Sequence, residues 1–99
     1  MLKIYKSIEG TTARYALEGR LDTLSSPELQ QELSSDLNGI TDLVFDFAKL
    51  KYISSAGMRV MLYALQIMGG KGTLKLINVN PVLQEILTKV GFGEILTIE

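Results

Sequence analysis

After an opening hairpin, strand-like and helix-like segments alternate along this sequence, and that alternation restricts the folds that the chain can adopt. Residues 1–8 and 13–17 alternate apolar and polar side chains on either side of a Glu-Gly-Thr turn, which predicts a β-hairpin. Three helix-like segments follow, each leading into a short apolar run, so the predicted order is ββαβαβαβ. Because helices that cross over between strands make those strands parallel, the pattern predicts an α/β domain with a mixed sheet.

The predicted helices begin at residues that can accept a hydrogen bond from the free N–H groups of the first turn. Ser26 precedes Pro27, and Asn80 precedes Pro81, so Ser26 and Asn80 are the expected N-caps of the first and third helices. The second helix is expected to begin at a pair of serines and to end near residues 69–70. The remaining strands are predicted at residues 42–47, 73–77 and 94–99.

The junction between the third strand and the second helix is a candidate functional site. The apolar strand at residues 42–47 continues through a short basic link to Ser54 and Ser55, where the helix begins. The first N–H groups of a helix have no partner within it, and this end carries the positive pole of the helix dipole. Hydroxyl groups placed there can bind an anion or carry one covalently.

The second helix is apolar over most of its circumference, so we expect it to be largely buried. A narrow polar stripe interrupts the apolar surface at Ser55, Arg59 and Gln66, with Tyr63 beside it. Their spacing places these residues on one face of the helix. A phosphate on Ser55 would therefore lie one turn from Arg59 and next to the free N–H groups.

Two roles for the serine pair remain open on these grounds. Serine is a preferred N-cap, because its hydroxyl accepts a hydrogen bond from the second or third N–H group of the helix. The pair can also supply a functional hydroxyl. The two roles are compatible if Ser54 caps the helix and Ser55 points outward.

Composition excludes several classes of function. The 99 residues are expected to form a single domain over residues 1–99, and the formal net charge of −1 disfavours nonspecific binding of nucleic acid. The sequence has no cysteine and no histidine, which removes thiolate chemistry, the commonest general base and the commonest metal ligand.

The first residues do not resemble a signal peptide, and no apolar run approaches the ~20 residues of a membrane span. A cytoplasmic location is therefore expected, with no membrane contact.

Two other sequence patterns are weaker evidence for a functional site. The glycine-rich run at residues 69–73 precedes a strand and not a helix, so it predicts a helix end and a turn instead of a phosphate-binding loop. Asp22 stands just past a strand end, where it either forms a turn or serves a nearby site. The carboxylates are too scattered to predict a metal site or an acid–base pair, and no cofactor is expected.

Residues 52–60, with the sequence Tyr-Ile-Ser-Ser-Ala-Gly-Met-Arg-Val, resemble the phosphorylation motif of STAS domains, specifically of bacterial anti-sigma-factor antagonists. In that family an apolar residue precedes Asp-Ser-Ser/Thr-Gly-Leu-Gly, and the first serine after the aspartate is the phosphoacceptor. The match places Ser55 on the phosphoacceptor, Ser54 on the aspartate and Arg59 on the second glycine. Residues 17–22 are similar to the Gly-x-Leu-Asp element of the family, which places Asp22 near the phosphorylation site.

The resemblance implies a STAS-like mixed β-sheet with helices packed on it, and a protein that binds partners without catalysis. It implies that the unphosphorylated chain binds an anti-sigma factor that is also a serine kinase, that phosphorylation of Ser55 breaks this complex, and that a phosphoserine phosphatase restores it. The residues that the match assigns to partner binding are Asp22, Ser54, Ser55, Gly57, Met58 and Arg59.

Three alternatives remain open. The chain can be a small phosphate- or nucleotide-binding sensory module without a role in sigma-factor control. It can be a phosphocarrier or nucleotide-binding enzyme that uses Ser55 as a nucleophile, although it lacks a histidine or cysteine to activate the hydroxyl. It can also be a structural module whose serines only cap a helix.

Overall fold

A mixed five-stranded sheet is the framework of the computed structural model, which describes residues 2–69, 72–94 and 96–99. The strands lie in the sheet in the order in which they occur in the chain. β1 and β2 are antiparallel, and β2 to β5 run parallel to one another. The elements are β1 (Leu2–Glu9), β2 (Thr12–Leu21), α1 (Ser26–Asp36), β3 (Asp42–Ile53), α2 (Ser55–Met68), β4 (Thr73–Ile77), α3 (Pro81–Lys89), a 3₁₀ turn (Phe92–Glu94) and β5 (Thr97–Ile98). The predicted order and the mixed sheet are confirmed.

One apolar core joins the sheet to the helices. Alternate residues of the central strands are buried, as the period of two in a strand requires. Each helix adds its own buried stripe, for example Leu33 in α1, Met61 in α2 and Leu87 in α3. The buried residues of β2 and β3 that share this core include Ala13, Tyr15, Leu17, Leu43, Phe45 and Phe47.

The two central strands are longer than the sequence predicts. β2 continues past residue 17 to Leu21, and β3 continues past residue 47 to Ile53. Residues of the basic link therefore belong to the sheet, where Lys49 pairs with Glu18. Two register shifts in this part of the pairing interrupt the regular alternation, which explains why the sequence pattern does not reveal it. The extension brings the end of β3 directly to the start of α2.

The start of α1 also differs from the prediction. Ser26 is the first helical residue and not the N-cap; Ser25 takes the cap position and makes no side-chain capping bond. Both serines are buried, and the Ser26 hydroxyl donates to the backbone oxygen of Asp22. The Ser25 hydroxyl accepts from the N–H of Asp22 and donates to the carbonyl of Arg20, so both hydroxyls are directed at the preceding residues and not at the first turn of the helix.

The end of the chain follows the prediction in part. Asn80 caps α3 as expected, since its side-chain oxygen accepts a hydrogen bond from the N–H of Leu83 at 2.9 Å. The strand predicted at residues 94–99 is reduced to Thr97–Ile98, because a 3₁₀ turn occupies the residues before it. Four residues to which the sequence predictions refer, Met1, Gly70, Lys71 and Ile95, lie outside the described residues.

Candidate functional site at the start of helix α2

Ser54 caps α2 and ties it to the end of β2. Its backbone is extended, its hydroxyl oxygen accepts a hydrogen bond from the N–H of Gly57 at 3.2 Å, and its own N–H donates to the carbonyl of Leu21 at 2.9 Å. Of the two roles that the sequence left open for the serine pair, Ser54 takes the capping role. The cap fixes the direction in which the next residue leaves the sheet.

Ser55 is the first residue of α2, and it is exposed. Among the residues that the structure describes, its hydroxyl makes no hydrogen bond, and no acceptor occupies the N–H groups of Ser55 and Ala56. A free hydroxyl thus lies beside two free N–H groups at the positive end of a helix dipole. The arrangement suits a negatively charged group attached to Ser55.

Gly57 allows α2 to approach the sheet closely. A Cβ atom at this position would lie 2.9 Å from the backbone oxygen of Leu21, and equally close to the side chains of Leu21 and Ile53. No side chain fits there without displacing the end of β2. Gly57 is buried, so its contribution to the site is to position the two serines.

Asp22 organises the loop that lies next to the serine pair. One of its carboxylate oxygens accepts hydrogen bonds from the backbone N–H groups of Leu24 at 3.1 Å and Ser25 at 3.0 Å. The hydrogen bond from the Ser25 backbone, followed by the one from its hydroxyl, holds the pKa of Asp22 below its ordinary value. Since Asp22 follows Leu21, to which the Ser54 N–H donates, the structure brings this loop and the start of α2 together. Of the two roles considered for Asp22, the hydrogen bonds show that it forms a turn.

Leu24 is a feature of this loop that the sequence analysis missed. It is an apolar side chain in a polar loop, and 92% of its surface is exposed. Arg20, near the end of β2, contacts the same loop: its guanidinium lies 4.3 Å from the centre of the Tyr52 ring, and its Nε lies 3.8 Å from a carboxylate oxygen of Asp22. The sequence did contain a sign of this exposure, because Leu24 is an apolar residue within a run of polar turn residues.

The polar stripe of α2 lies where the sequence predicts it. Ser55, Arg59 and Gln66 are exposed, and Tyr63 is half-buried. The rest of the helix is less buried than expected, because several apolar residues, including Met58, are only half-buried. The half-buried position of Met58 leaves part of its side chain accessible beside the serines.

A groove of about 560 Å³ separates α1 from α2. Arg59 is the only charged residue among the described residues that line it. Polar and small apolar side chains form the rest of the walls, so Arg59 gives the groove a positive charge. The lining residues are Thr23, Ser26, Pro27, Gln30, Gln31, Ser34, Ala56, Arg59, Val60 and Tyr63.

Neither a metal centre nor a membrane helix is apparent in the described part of the chain. No group of three or more acidic side chains there is placed to hold a metal ion. No described helix has the length and apolar character required to cross a membrane.

Comparison with known proteins identifies the class to which this fold and site belong. The family model for the STAS domain matches residues 3–99. The structure of an anti-sigma factor antagonist from Mycobacterium paratuberculosis superposes with a TM-score of 0.89 at 13% identity, covering 99% of this chain and 85% of that one. The phosphorylated form of the Bacillus cell-fate determinant SpoIIAA superposes with a TM-score of 0.76 at 18% identity, covering 100% and 91% of the two chains. The chain has a STAS fold.

A relative in sequence places the protein in a smaller group within the STAS-domain family. BtrV of Bordetella bronchiseptica, named as a candidate anti-sigma factor antagonist, is 33% identical over 84 residues, which cover 83% of this chain and 72% of BtrV. The protein belongs to the STAS-domain family, within the group of the anti-sigma-factor antagonists. The family and the fold predicted from the motif are confirmed.

Proposed function

We propose that this protein binds an anti-sigma factor and is switched off by phosphorylation of Ser55. The observation that carries the proposal is the difference between the two serines. Ser54 uses its hydroxyl to cap α2, whereas the hydroxyl of Ser55 is exposed beside the free N–H groups of the first turn. Modification of Ser55 therefore leaves the cap intact.

The physical effect of the phosphate is local. A phosphoserine carries about −1.5 to −2 charges at neutral pH. At the centre of a partner interface that charge must be desolvated or repelled, and a loss of a few kcal/mol lowers affinity by roughly ten- to a thousandfold. The positive end of α2 stabilises the same charge within the protein itself. Phosphorylation should thus weaken binding strongly without unfolding the chain.

The reaction cycle has three steps. The unphosphorylated protein binds the anti-sigma factor, which frees the sigma factor. The anti-sigma factor then acts as a serine kinase: the γ-phosphoryl group of ATP is transferred to the Ser55 oxygen, the hydroxyl proton passes to a base of the kinase, and ADP leaves. A phosphoserine phosphatase hydrolyses the ester and restores the hydroxyl. In this cycle the chain is the substrate, in the cytoplasm, and the kinase and the phosphatase carry out the chemical steps.

The residues assigned to partner binding support the proposal in different ways. Ser54 and Gly57 position the site by capping the helix and by allowing its close packing. Met58 and Arg59 offer accessible apolar and charged contacts about one helical turn from Ser55. Asp22 holds the adjoining loop, which presents the exposed Leu24.

Phosphopeptide mapping and partner titration test the proposal together. The purified protein is incubated with ATP and an extract of its own cells, and the anti-sigma factor that binds it is identified by mass spectrometry and purified. We expect a single phosphate on Ser55, no phosphate in Ser55→Ala, and unchanged phosphorylation in Ser54→Ala. We also expect Ser55→Ala to bind the purified anti-sigma factor and the phosphorylated parent to lose that binding. A phosphate on Ser54, or equal affinity of both forms, contradicts the proposal.

The free N–H groups of Ser55 and Ala56 also favour one alternative, a sensory module that binds a free phosphate or a nucleotide. Calorimetric titration with inorganic phosphate, ATP and GTP separates the two functions. Binding of one of these ligands to the unmodified protein, together with the absence of an anti-sigma factor in the extract, supports the sensory module. A covalent phosphate on Ser55 supports the switch.

A further inference from the structure

Arg59 is a cation without a counter-ion close to the serine that we propose is phosphorylated. Its side chain is exposed and forms no ion pair with any residue that the structure describes. It is also the only charge among the described residues lining the groove between α1 and α2. Arg20, the other nearby arginine, instead lies against Tyr52 and Asp22.

α2 places Arg59 one helical turn from Ser55 on the same exposed face. The two residues are four positions apart on one exposed face, and one helical turn rises about 5.4 Å. Long side chains in a helix tend to lean toward its N-terminus, so a guanidinium at position 59 is within reach of a phosphate on Ser55. A guanidinium binds phosphate through two parallel hydrogen bonds, which makes arginine well suited to this contact.

We propose that Arg59 binds the phosphate on Ser55, and that in the unphosphorylated protein the same guanidinium binds an acidic side chain of the anti-sigma factor at the groove. The inference rests on the proposed function, since it requires Ser55 to be the phosphorylated residue. Charge complementarity selects the acidic partner group, because the described walls of the groove carry one positive charge and no negative charge. The acidic residues of α1 are directed elsewhere: Glu32 and Asp36 bind Lys6, and Glu28 lines a different cavity.

Phosphorylation then acts on the interface in two ways. It adds negative charge at Ser55, and it removes the positive charge that the acidic partner group requires. Arg59 therefore has two mutually exclusive partners, one within the chain and one in the anti-sigma factor. This competition makes the switch sharper than repulsion alone would make it.

The first test measures the phosphate directly. Phosphoserine is incorporated at position 55 during translation, and the second ionisation of the phosphate, ordinarily at a pKa of about 6, is followed by phosphorus NMR. We expect Arg59→Gln to raise that pKa by about 0.5, because an adjacent cation favours the dianion, and Arg59→Lys to lie between the two. Lys51→Gln, which removes an exposed lysine at the end of β3, is the matched control and should leave the titration unchanged. Identical titrations of the parent and Arg59→Gln overturn the inference, as does a shift in Lys51→Gln alone.

The second test uses the purified anti-sigma factor. We expect Arg59→Gln to bind it about tenfold more weakly in the unmodified form, as for a charged contact at the edge of an interface. The further loss caused by phosphorylation should be smaller in Arg59→Gln than in the parent, because the two changes act on the same contact. Equal effects of phosphorylation in both proteins contradict the competition.

The two experiments distinguish the inference from the proposed function. The NMR titration needs neither a kinase nor an anti-sigma factor, because the phosphate is installed during translation. If Ser55 is never phosphorylated by the purified kinase, the proposed function fails whatever the titration shows. If Ser55 is phosphorylated and the titrations of the parent and Arg59→Gln coincide, only the role of Arg59 fails.

Discussion

At the start of α2, two adjacent serines have opposite surroundings. The Ser54 oxygen accepts a hydrogen bond from Gly57, whereas the Ser55 hydroxyl is exposed. The two residues are chemically identical, so substituting each one measures the effect of its surroundings alone.

Ser54→Ala should lower the free energy of unfolding by about 1 kcal/mol, the usual cost of losing an N-cap. The matched variant Ser55→Ala should change it by less than ~0.5 kcal/mol, because the Ser55 side chain is exposed. Urea denaturation of the two variants measures both values. A greater loss in Ser55→Ala would show that Ser55 is the true cap.

Gly57→Ala tests the close packing of α2 on the sheet. The added methyl group meets a backbone oxygen at 2.9 Å, and overpacking of this kind costs about 1–3 kcal/mol. The better helix propensity of alanine offsets up to about 1 kcal/mol of this cost. We therefore expect a net loss of about 1–2 kcal/mol in the free energy of unfolding.

Gly93→Ala is the control for that variant, because a Cβ atom at Gly93 meets nothing within 4 Å. It should alter stability by less than ~0.5 kcal/mol. If thermal unfolding finds both variants equally stable, α2 does not need glycine for its approach to β2.

At the scale of the elements, a small polar network fastens α1 to the hairpin. Asp36, the last residue of α1, accepts hydrogen bonds from Lys6 at 2.9 Å and from the hydroxyl of Tyr15 at 2.8 Å. The Lys6 hydrogen bond, more than the Tyr15 bond, holds the pKa of Asp36 below its ordinary value. Burial raises the pKa of Tyr15, and the contact with Asp36 raises it further.

The network makes stability depend on pH in a predictable direction. Because the pKa of Asp36 is lower in the folded chain than in the unfolded chain, the ionised carboxylate stabilises the fold above about pH 4. That contribution disappears as the pH falls through the folded value. Asp36→Asn keeps an oxygen for Tyr15 and removes the charge, so it should lower stability by about 1 kcal/mol at pH 7, after allowance for the exposure of Lys6.

Urea denaturation of the parent and Asp36→Asn at pH 7 and near pH 3 measures this effect. The difference between them should shrink as the pH falls, because the parent carboxylate is then being protonated. Glu32→Gln, which removes the more exposed partner of Lys6, should have an effect of less than ~0.5 kcal/mol. A difference between the parent and Asp36→Asn that is constant with pH would show that the charge is not responsible.

At the scale of the whole molecule, the switch should act through charge without a change of fold. Ser55→Asp places a carboxylate at the positive end of α2, where the helix dipole stabilises it by about 0.3–1 kcal/mol. Ser55→Lys places a cation at the same exposed position and should lose a similar amount. We expect the melting temperature to rise slightly in the first variant and to fall in the second.

Backbone amide spectra of the phosphorylated protein provide the structural measurement. Shifts should be confined to the first turns of α2 and to the neighbouring loop at residues 22–25, since the cap and the contact between Ser54 and Leu21 do not involve Ser55. Shifts spread over the sheet would mean that phosphorylation rearranges the molecule.

A structural feature could be predicted from the sequence when the interactions that form it join residues close together in the chain. The cap at Asn80 was predicted correctly, and capping by Ser54 was one of the roles considered, because each cap uses an acceptor and an N–H group three residues apart. The cap predicted at Ser26 was wrong because Asp22, which is outside the helix, binds the same hydroxyl. The assignment of the phosphoacceptor came from the family motif, since physical reasoning alone left two roles open for the serine pair.

The sequence by itself therefore determined the order of the elements, the mixed sheet and the exposed polar stripe of α2, because periodicity and turn residues are properties of short segments. Only the tertiary structure decided how far β2 and β3 extend, since Lys49, Leu50, Tyr52 and Ile53 pair with residues more than 30 positions earlier in the chain. It also decided that Leu24 is exposed and that Arg59 lies at a groove without a described counter-ion. Burial and charge pairing depend on which distant segments meet, and a linear pattern contains that information only indirectly.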